Sequence, residues 1–352
     1  MNSQDLIDTA SKIVADDKGL LAIDESIPTC NKRFAKQGIP QTEAARRAYR
    51  ELIITTPRLG ESISGLILYD ETIRQQKTDG TPFIKAIVDA GIIPGIKVDT
   101  GAQEMALHPG EKVTEGLDGL RERLKEYSRM GARFAKWRAV IAVDESIPSR
   151  GCLEANAQAL ARYAALCQEA GIVPVVEPEV LMQGDHTIER CRELTEDALH
   201  TVFAHLYTQR VMLEGTILKP NMVLPGLTCP QQEGVDAAAD ITVTCLLRSV
   251  PAAVPGIAFL SGGQSGELAS ARLNAMNVRF KSHLPWGVAF SFGRAIQQPA
   301  LEIWNGRETN VAAAQQALYH RARCNRAARR GEYVAAMEKP WKWDGVSGAK
   351  AA

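Results

Sequence analysis

The stretch DAGIIPGIKVD at 89–99 leaves a helical pattern through a glycine and enters an apolar run that ends on a lysine and an aspartate. RMGARFAKWR at 129–138 and EAGIVPVVEPEV at 169–180 repeat the device. Glycine just past a helix accepts the left-handed C′ conformation, so each of these marks a helix stop followed directly by a strand. Working outward, strand-like runs recur at 19–24 (GLLAID), 65–70 (GLILYD), 93–99, 133–141, 173–181, 216–224 (TILKPNMVL), 256–262 (GIAFLSG) and 286–293 (WGVAFSFG). Helical patterns such as EAARRAYRELII at 43–54 and EANAQALARYAALCQEAG at 154–171 lie between them. Strands that alternate with helices must be parallel, because each crossover helix returns the chain to the same end of the sheet.

Eight such runs predict an α/β fold, and their spacing selects the architecture. From Lys97 through Lys136, Glu177, Lys219 and Ser261 to Ser291, the polar markers near the strand ends are 39, 41, 42, 42 and 30 residues apart. A βα unit of that size, eight times over, fits a (β/α)8 TIM barrel, and the first strand is not followed by the GxGxxG of a dinucleotide-binding sheet. The 352 residues would allow two domains by length, but barrels of this kind run past 250 residues as one unit. With no linker or low-complexity stretch, 1–352 reads as a single domain: an N-terminal helix at 1–18, the barrel at 19–305, and a C-terminal helix and tail at 306–352.

Composition narrows the function. Forty-one Lys and Arg balance 41 Asp and Glu, which argues against nucleic-acid or membrane binding through overall charge. Seven scattered cysteines without a CxxC pair read as reduced thiols of a cytoplasmic protein, and the acidic, amphipathic N-terminus is no secretory signal. The six histidines show neither HxH nor HExxH spacing, so neither a metal nor a cofactor is expected. The basic run RARCNRAARR at 321–330 reads most simply as a solvated helix face.

The chemistry is expected at the strand ends. Residues i and i+2 of a strand share a face, which groups Lys97 with Asp99, Lys136 with Arg138, and Glu177 with Glu179, and turns Trp137 toward the helices. Inward charges of both signs must pair, and a barrel places its site where strands end at the C-terminal mouth. Asp24 and Lys219 belong to the same set; Lys219 precedes Pro220 at the end of an apolar run, where a lysine beside another cation is a candidate to attack a carbonyl. Two late loops suit phosphate: FLSGGQSGE with Ser261, Gly262 and a capping Ser265, and FSFGRA with Ser291, Gly293 and Arg294. Across the mouth, Ser26 and Lys97 are placed to hold a second anion, so a substrate with two phosphates is expected.

In these residues the chain resembles the class I, Schiff-base fructose-bisphosphate aldolases from about Leu6 to Trp343. LAIDES, GIKVD, FAKWR, VEPE, LEGTILKPNMV, FLSGGQS and FSFGRA are similar to that family's motifs, in the family's order. The resemblance implies reversible cleavage of fructose 1,6-bisphosphate into dihydroxyacetone phosphate and glyceraldehyde 3-phosphate, in glycolysis and gluconeogenesis, by a homotetramer. It further implies that Lys219 is the Schiff-base lysine, and that Glu177, with Lys136 and Glu179 beside it, is the acid/base of imine formation. Asp24 would take the C4-hydroxyl proton. Ser261, Gly262, Gly293 and Arg294 would hold the C1 phosphate, and Ser26, Arg33, Lys97 and Arg138 would face the C6 phosphate. The chain departs from the pattern at Thr29, Thr100 and Phe292, and its AKAA ending lacks the family's tail tyrosine, leaving Tyr319 and Tyr333 as the late tyrosines. Two other readings remain open: another Schiff-base barrel such as a transaldolase or pyruvate-type lyase, and a sugar-phosphate-binding protein without turnover.

Overall fold

A computed structural model describes residues 3–339. Eight parallel strands close into a barrel: β1 (Gly19–Ala22), β2 (Ile63–Leu68), β3 (Ile93–Lys97), β6 (Phe134–Ile141), β7 (Val173–Val180), β8 (Ile217–Leu218), β9 (Gly256–Phe259) and β10 (Gly287–Phe292). They follow one another around the barrel in chain order, and β10 closes on β1 with Leu20 opposite Ser291. All eight strand-like runs contribute a barrel strand. The three glycine stops behave as the sequence requires, with φ of +71° at Gly91, +113° at Gly131 and +70° at Gly171.

The barrel interior is a packed core whose side chains alternate with those facing the helices. Leu20, Ile67, Phe134, Val175, Ile217 and Ala289 fill it. Phe134 needs unusual room: a Cβ on Gly95 would lie 2.2 Å from its ring and one on Gly65 would lie 2.9 Å away, so two neighbouring strands give up side chains to admit one. Burying that ring contributes about 2–3 kcal/mol. The N-terminal helix α1 (Ser3–Ile13) spaces Leu6, Ala10 and Ile13 along one face and packs them into this interior cluster, together with Val14. It plugs the N-terminal end, and chemistry is left to the other mouth. On the outer face, Trp137 points away from the interior and packs on Tyr163 of α7 (Arg150–Glu169), with ring centroids 5.5 Å apart.

Three features depart from the sequence reading. An antiparallel hairpin, β4 (Gly101–Glu104) with β5 (Lys112–Glu115), follows the third barrel strand. It has a job: β6 and β7 pair over eight residues and overhang β3, which exposes β6 backbone that β3 no longer reaches. The hairpin's Thr114 hydroxyl donates to the Arg138 carbonyl at 2.8 Å, and the Asp99 carboxylate accepts from the Arg138 N–H at 3.2 Å. The second departure is β8, expected over 216–224 and regular over only two residues. Lys219 N–H still donates to the Val176 carbonyl, but Pro220 has no N–H, and the side chain of Asn221 takes over by accepting from Val180 N–H at 3.0 Å. The third is the basic run 321–330 in α12 (Val311–Arg330), which is not a solvated face: Arg321, Cys324, Asn325 and Arg329 are buried. Arg329 donates to the carbonyls of Lys18 and Val14, at 3.1 and 2.9 Å, so this arginine holds the chain as it enters β1. The C-terminal expectation for 340–352 lies outside the described residues.

Candidate active site

At the C-terminal mouth lies a cavity of about 610 Å³. Its floor is an ionic chain. Lys219, one residue past β8, places its Nζ 3.1 Å from Glu177 Oε1; the other oxygen of Glu177 is 3.4 Å from Lys136 Nζ. Lys136 in turn lies 2.8 Å from Asp24, two residues beyond β1, and 4.0 Å from Asp99. Lys136, Glu177 and Lys219 are each no more than 4% exposed. The ends of five strands therefore bring five ionisable groups into one chain in which every charge meets an opposite one.

Burial alone would disfavour each of these charges; pairing reverses the outcome for two of them. Burial raises the pKa of Asp24, but Lys136, Lys219 and Lys97 together outweigh it and hold the carboxyl down to about 2. Burial likewise opposes the Lys136 ammonium, and Asp24, Glu177 and Asp99 overcome it, so that this lysine is held protonated well above the ordinary range. The pair is thus a fixed carboxylate and a fixed cation at any physiological pH. Within ion-pair distance Lys219 meets, among the described residues, Glu177 alone, a carboxylate shared with Lys136.

The remaining sequence-predicted residues divide into groups. Ser261, Gly262, Gly293 and Arg294 line one side of the cavity. Gly262 and Gly263 adopt φ of +55° and +89°, which gives the loop its tight turn, and Ser265 caps α10 (Gly266–Phe280) by accepting from Leu268 N–H at 3.2 Å. Arg294 opens α11 (Arg294–Trp304) and is exposed, without an ion pair among the described residues. On the other side, Lys97 pairs with Asp99 at 2.7 Å, Arg138 with Glu179, and Ser26 shares a hydrogen bond with Thr29 at 3.0 Å. Arg33 lines the cavity but is bound up with Glu25 and with Gln297 at 3.1 Å. Ser291 is not part of the lining. It lies one pleat below Gly293, 1% exposed, with a hydroxyl that has no hydrogen-bond partner among the described residues.

Several residues in or behind the cavity wall escaped sequence reasoning. Glu25 pairs with Arg33 and, at 2.9 Å, with Arg50; burial opposes its charge, and the two guanidiniums overcome that and hold its pKa low. Gln297, fully buried on α11, donates to Glu25 at 3.0 Å and accepts from Tyr49 at 3.1 Å. A glutamine inside an apolar helical run carries no signal of this kind. Lys32 and Lys36 of α2 (Ile27–Ala35) and its C-cap also line the mouth, exposed and without ion pairs among the described residues. Their i, i+4 spacing just after DES was the readable hint. The late tyrosines lie elsewhere: Tyr319 donates to Glu61 at 2.8 Å and Tyr333 to Glu338 at 2.7 Å, and neither lines the cavity. No histidine lines it either.

Comparison with known proteins agrees on one family. The family model described as fructose-bisphosphate aldolase class-I matches residues 5–345. A probable fructose-bisphosphate aldolase class 1 of Xanthomonas campestris is 58% identical over 334 residues, covering 95% of this chain and 99% of the relative. Cytosolic fructose-bisphosphate aldolase 6 of Arabidopsis thaliana is 49% identical, covering 94% and 92%. Among solved structures, Plasmodium falciparum fructose-bisphosphate aldolase, crystallised with TRAP and a small-molecule inhibitor, superimposes with a TM-score of 0.92 at 44% identity. That match covers 94% of this chain and 95% of the other.

Proposed function

The chain belongs to the class I fructose-bisphosphate aldolase family, and from that premise we propose how its own residues cleave fructose 1,6-bisphosphate reversibly into dihydroxyacetone phosphate and glyceraldehyde 3-phosphate. The observation that carries the reading is Glu177 lying between two buried lysines, 3.1 Å from Lys219 and 3.4 Å from Lys136. Lys136 is locked as a cation by Asp24, so a proton lost by Lys219 goes to Glu177. The freed amine attacks C2 of the ketose. Glu177 then returns its proton to the carbinolamine hydroxyl, which leaves as water and gives a protonated imine.

That iminium is the electron sink. Asp24 takes the C4-hydroxyl proton, the C3–C4 bond breaks, its electron pair moves into the iminium to give an enamine, and the aldehyde departs. Asp24 then releases its proton to solvent and Glu177 takes one up; Glu177 delivers it to C3, a step assigned here to this residue, and hydrolysis by water releases the second triose and restores the Lys219 amine. Lys136 stabilises charge through the sequence, and Glu179 keeps Arg138 at the rim. Ser261, Gly262, Gly293 and Arg294 take the C1 phosphate. Ser26, Lys97, Arg33 and Arg138 face the C6 phosphate, and Lys32 and Lys36 add unpaired charge on that side. The same reading treats 1–352 as one barrel domain without cofactor, acting in the cytoplasm as a homotetramer.

Borohydride trapping with each ketose phosphate, followed by mapping of the labelled peptide, tests the proposal. Label on Lys219 and preference for the bisphosphate support it. Preference for a monophosphate ketose would favour a different Schiff-base barrel, and binding without any adduct would favour a non-catalytic protein. Lys219→Met should remove both label and turnover while leaving the circular dichroism spectrum unchanged.

A further inference from the structure

A second group of reactive side chains lies on the outer helical layer. His320 and Cys324 are one turn apart on α12, and a 3-10 turn at Ala335–Glu338 folds back so that Glu338 meets them. One donor atom from each of the three lies within 4.8 Å of the others. We propose that His320, Cys324 and Glu338 form a binding site for a divalent transition-metal ion of the zinc type, distinct from the aldolase site.

The geometry suits such an ion. Tetrahedral zinc, with Zn–N near 2.0 Å and Zn–S near 2.3 Å, places its nitrogen and sulfur ligands roughly 3.6 Å apart. His320 Nε2 and Cys324 Sγ are 3.8 Å apart. The donors have capacity to spare. His320 Nε2 has the Cys324 sulfur as its one hydrogen-bond contact among the described residues, and the ring's other nitrogen, Nδ1, is buried with no hydrogen-bond partner among them, so the imidazole is not committed elsewhere. Besides the imidazole, the sulfur makes one long hydrogen-bond contact among the described residues, 3.9 Å to the Met337 carbonyl. Glu338 already accepts from Tyr333 at 2.7 Å and pairs with Arg321, but a carboxylate offers about four lone-pair sites. Tyr333 and Arg321 then act as the outer partners that fix a ligating carboxylate.

A nitrogen, a sulfur and an oxygen donor with a fourth position open to water select zinc or cobalt over magnesium or calcium, which prefer all-oxygen sites. On binding, the thiol proton goes to solvent and the sulfur–metal bond forms, with the thiolate and the Glu338 carboxylate facing the ion's two charges. None of the three residues lines the aldolase cavity. An occupied site would tie the last described turn to α12.

The untagged full-length protein titrated with cobalt alone tests this. One ion per chain is expected, with a thiolate-to-cobalt charge-transfer band that is absent from Cys324→Ala and at least tenfold weaker binding in His320→Gln. Aldolase turnover should be unchanged in both variants. Absence of the band in the wild type, or the same band in Cys324→Ala, overturns the proposal. Should Cys324→Ala misfold, Glu338→Gln replaces it: zinc must raise the melting temperature of the wild type and not of that variant, and an equal rise in both overturns the proposal as well.

Discussion

Glu177 is shared by two lysines whose circumstances differ, and in the proposed mechanism that difference decides which one reacts. Lys136 has Asp24, Glu177 and Asp99 around it and is held as a cation. Lys219 makes a single ion pair among the described residues, with Glu177. Glu177→Gln keeps the shape and removes the proton acceptor, so kcat should fall about 10²–10⁴-fold, the usual range for general acid–base catalysis, with little change in KM. Stopped-flow trapping should show slowed imine formation in this variant; normal trapping would remove Glu177 from that step. Asp24 carries a stability consequence as well. Its carboxyl titrates at 3.8 as a free group and at about 2 when folded, so its contribution is complete above about pH 4 and fades as the pH falls through 2. The shift corresponds to about 2 kcal/mol. Urea midpoints of wild type and Asp24→Asn should therefore differ more at pH 6 than at pH 2.5, and a gap independent of pH would contradict this origin of the shift.

Among the elements, what could be read from sequence follows from what each strand must bury. Parallel strands covered on both faces are apolar runs, so all eight were visible, and the polar residues interrupting them near the mouth, Lys136, Glu177 and Lys219 among them, stood out by cost. The β4–β5 hairpin was not visible because its strands are short and half-solvated, with no apolar alternation to announce it. Arg33 and Ser291 show the other limit. Their positions along the chain were right for the mouth, but sequence does not reveal that Glu25 and Gln297 already occupy Arg33 or that Ser291 sits one pleat too deep. The shortened β8 gives an element-scale prediction. Asn221 is 1% exposed and accepts from Val180 N–H where strand pairing has ended, so Asn221→Ala leaves a buried donor unsatisfied. A loss of about 1–3 kcal/mol in urea denaturation is expected. Because Lys219 is two residues away, borohydride trapping should also slow, and Asn221→Asp, which keeps the acceptor, should recover more of that rate than Asn221→Ala.

For the molecule as a whole, equal numbers of basic and acidic residues leave no long-range field to draw in an anion. Capture of a bisphosphate then depends on where the unpaired cations are. Most of the mouth's positive charge is spent internally: Lys97 on Asp99, Lys136 on Asp24, Arg33 on Glu25, and Arg138 on Glu179. Lys32, Lys36 and Arg294 line the mouth exposed and outside any ion pair among the described residues. Salt separates the two populations. Between 0.05 and 0.5 M ionic strength the Debye length shrinks from roughly 14 to roughly 4 Å, which screens the exposed cations and leaves the buried chain nearly untouched. KM for fructose 1,6-bisphosphate should therefore rise several-fold across that range while kcat stays within about a factor of two. Fructose 1-phosphate, which lacks the phosphate proposed to face Lys32 and Lys36, should show the smaller rise, and Lys36→Ala should bring the bisphosphate's salt dependence closer to it. Equal salt dependence for the two ketoses would mean that the exposed lysines take no part in holding the second phosphate, and that Ser26, Lys97, Arg33 and Arg138 hold it without them.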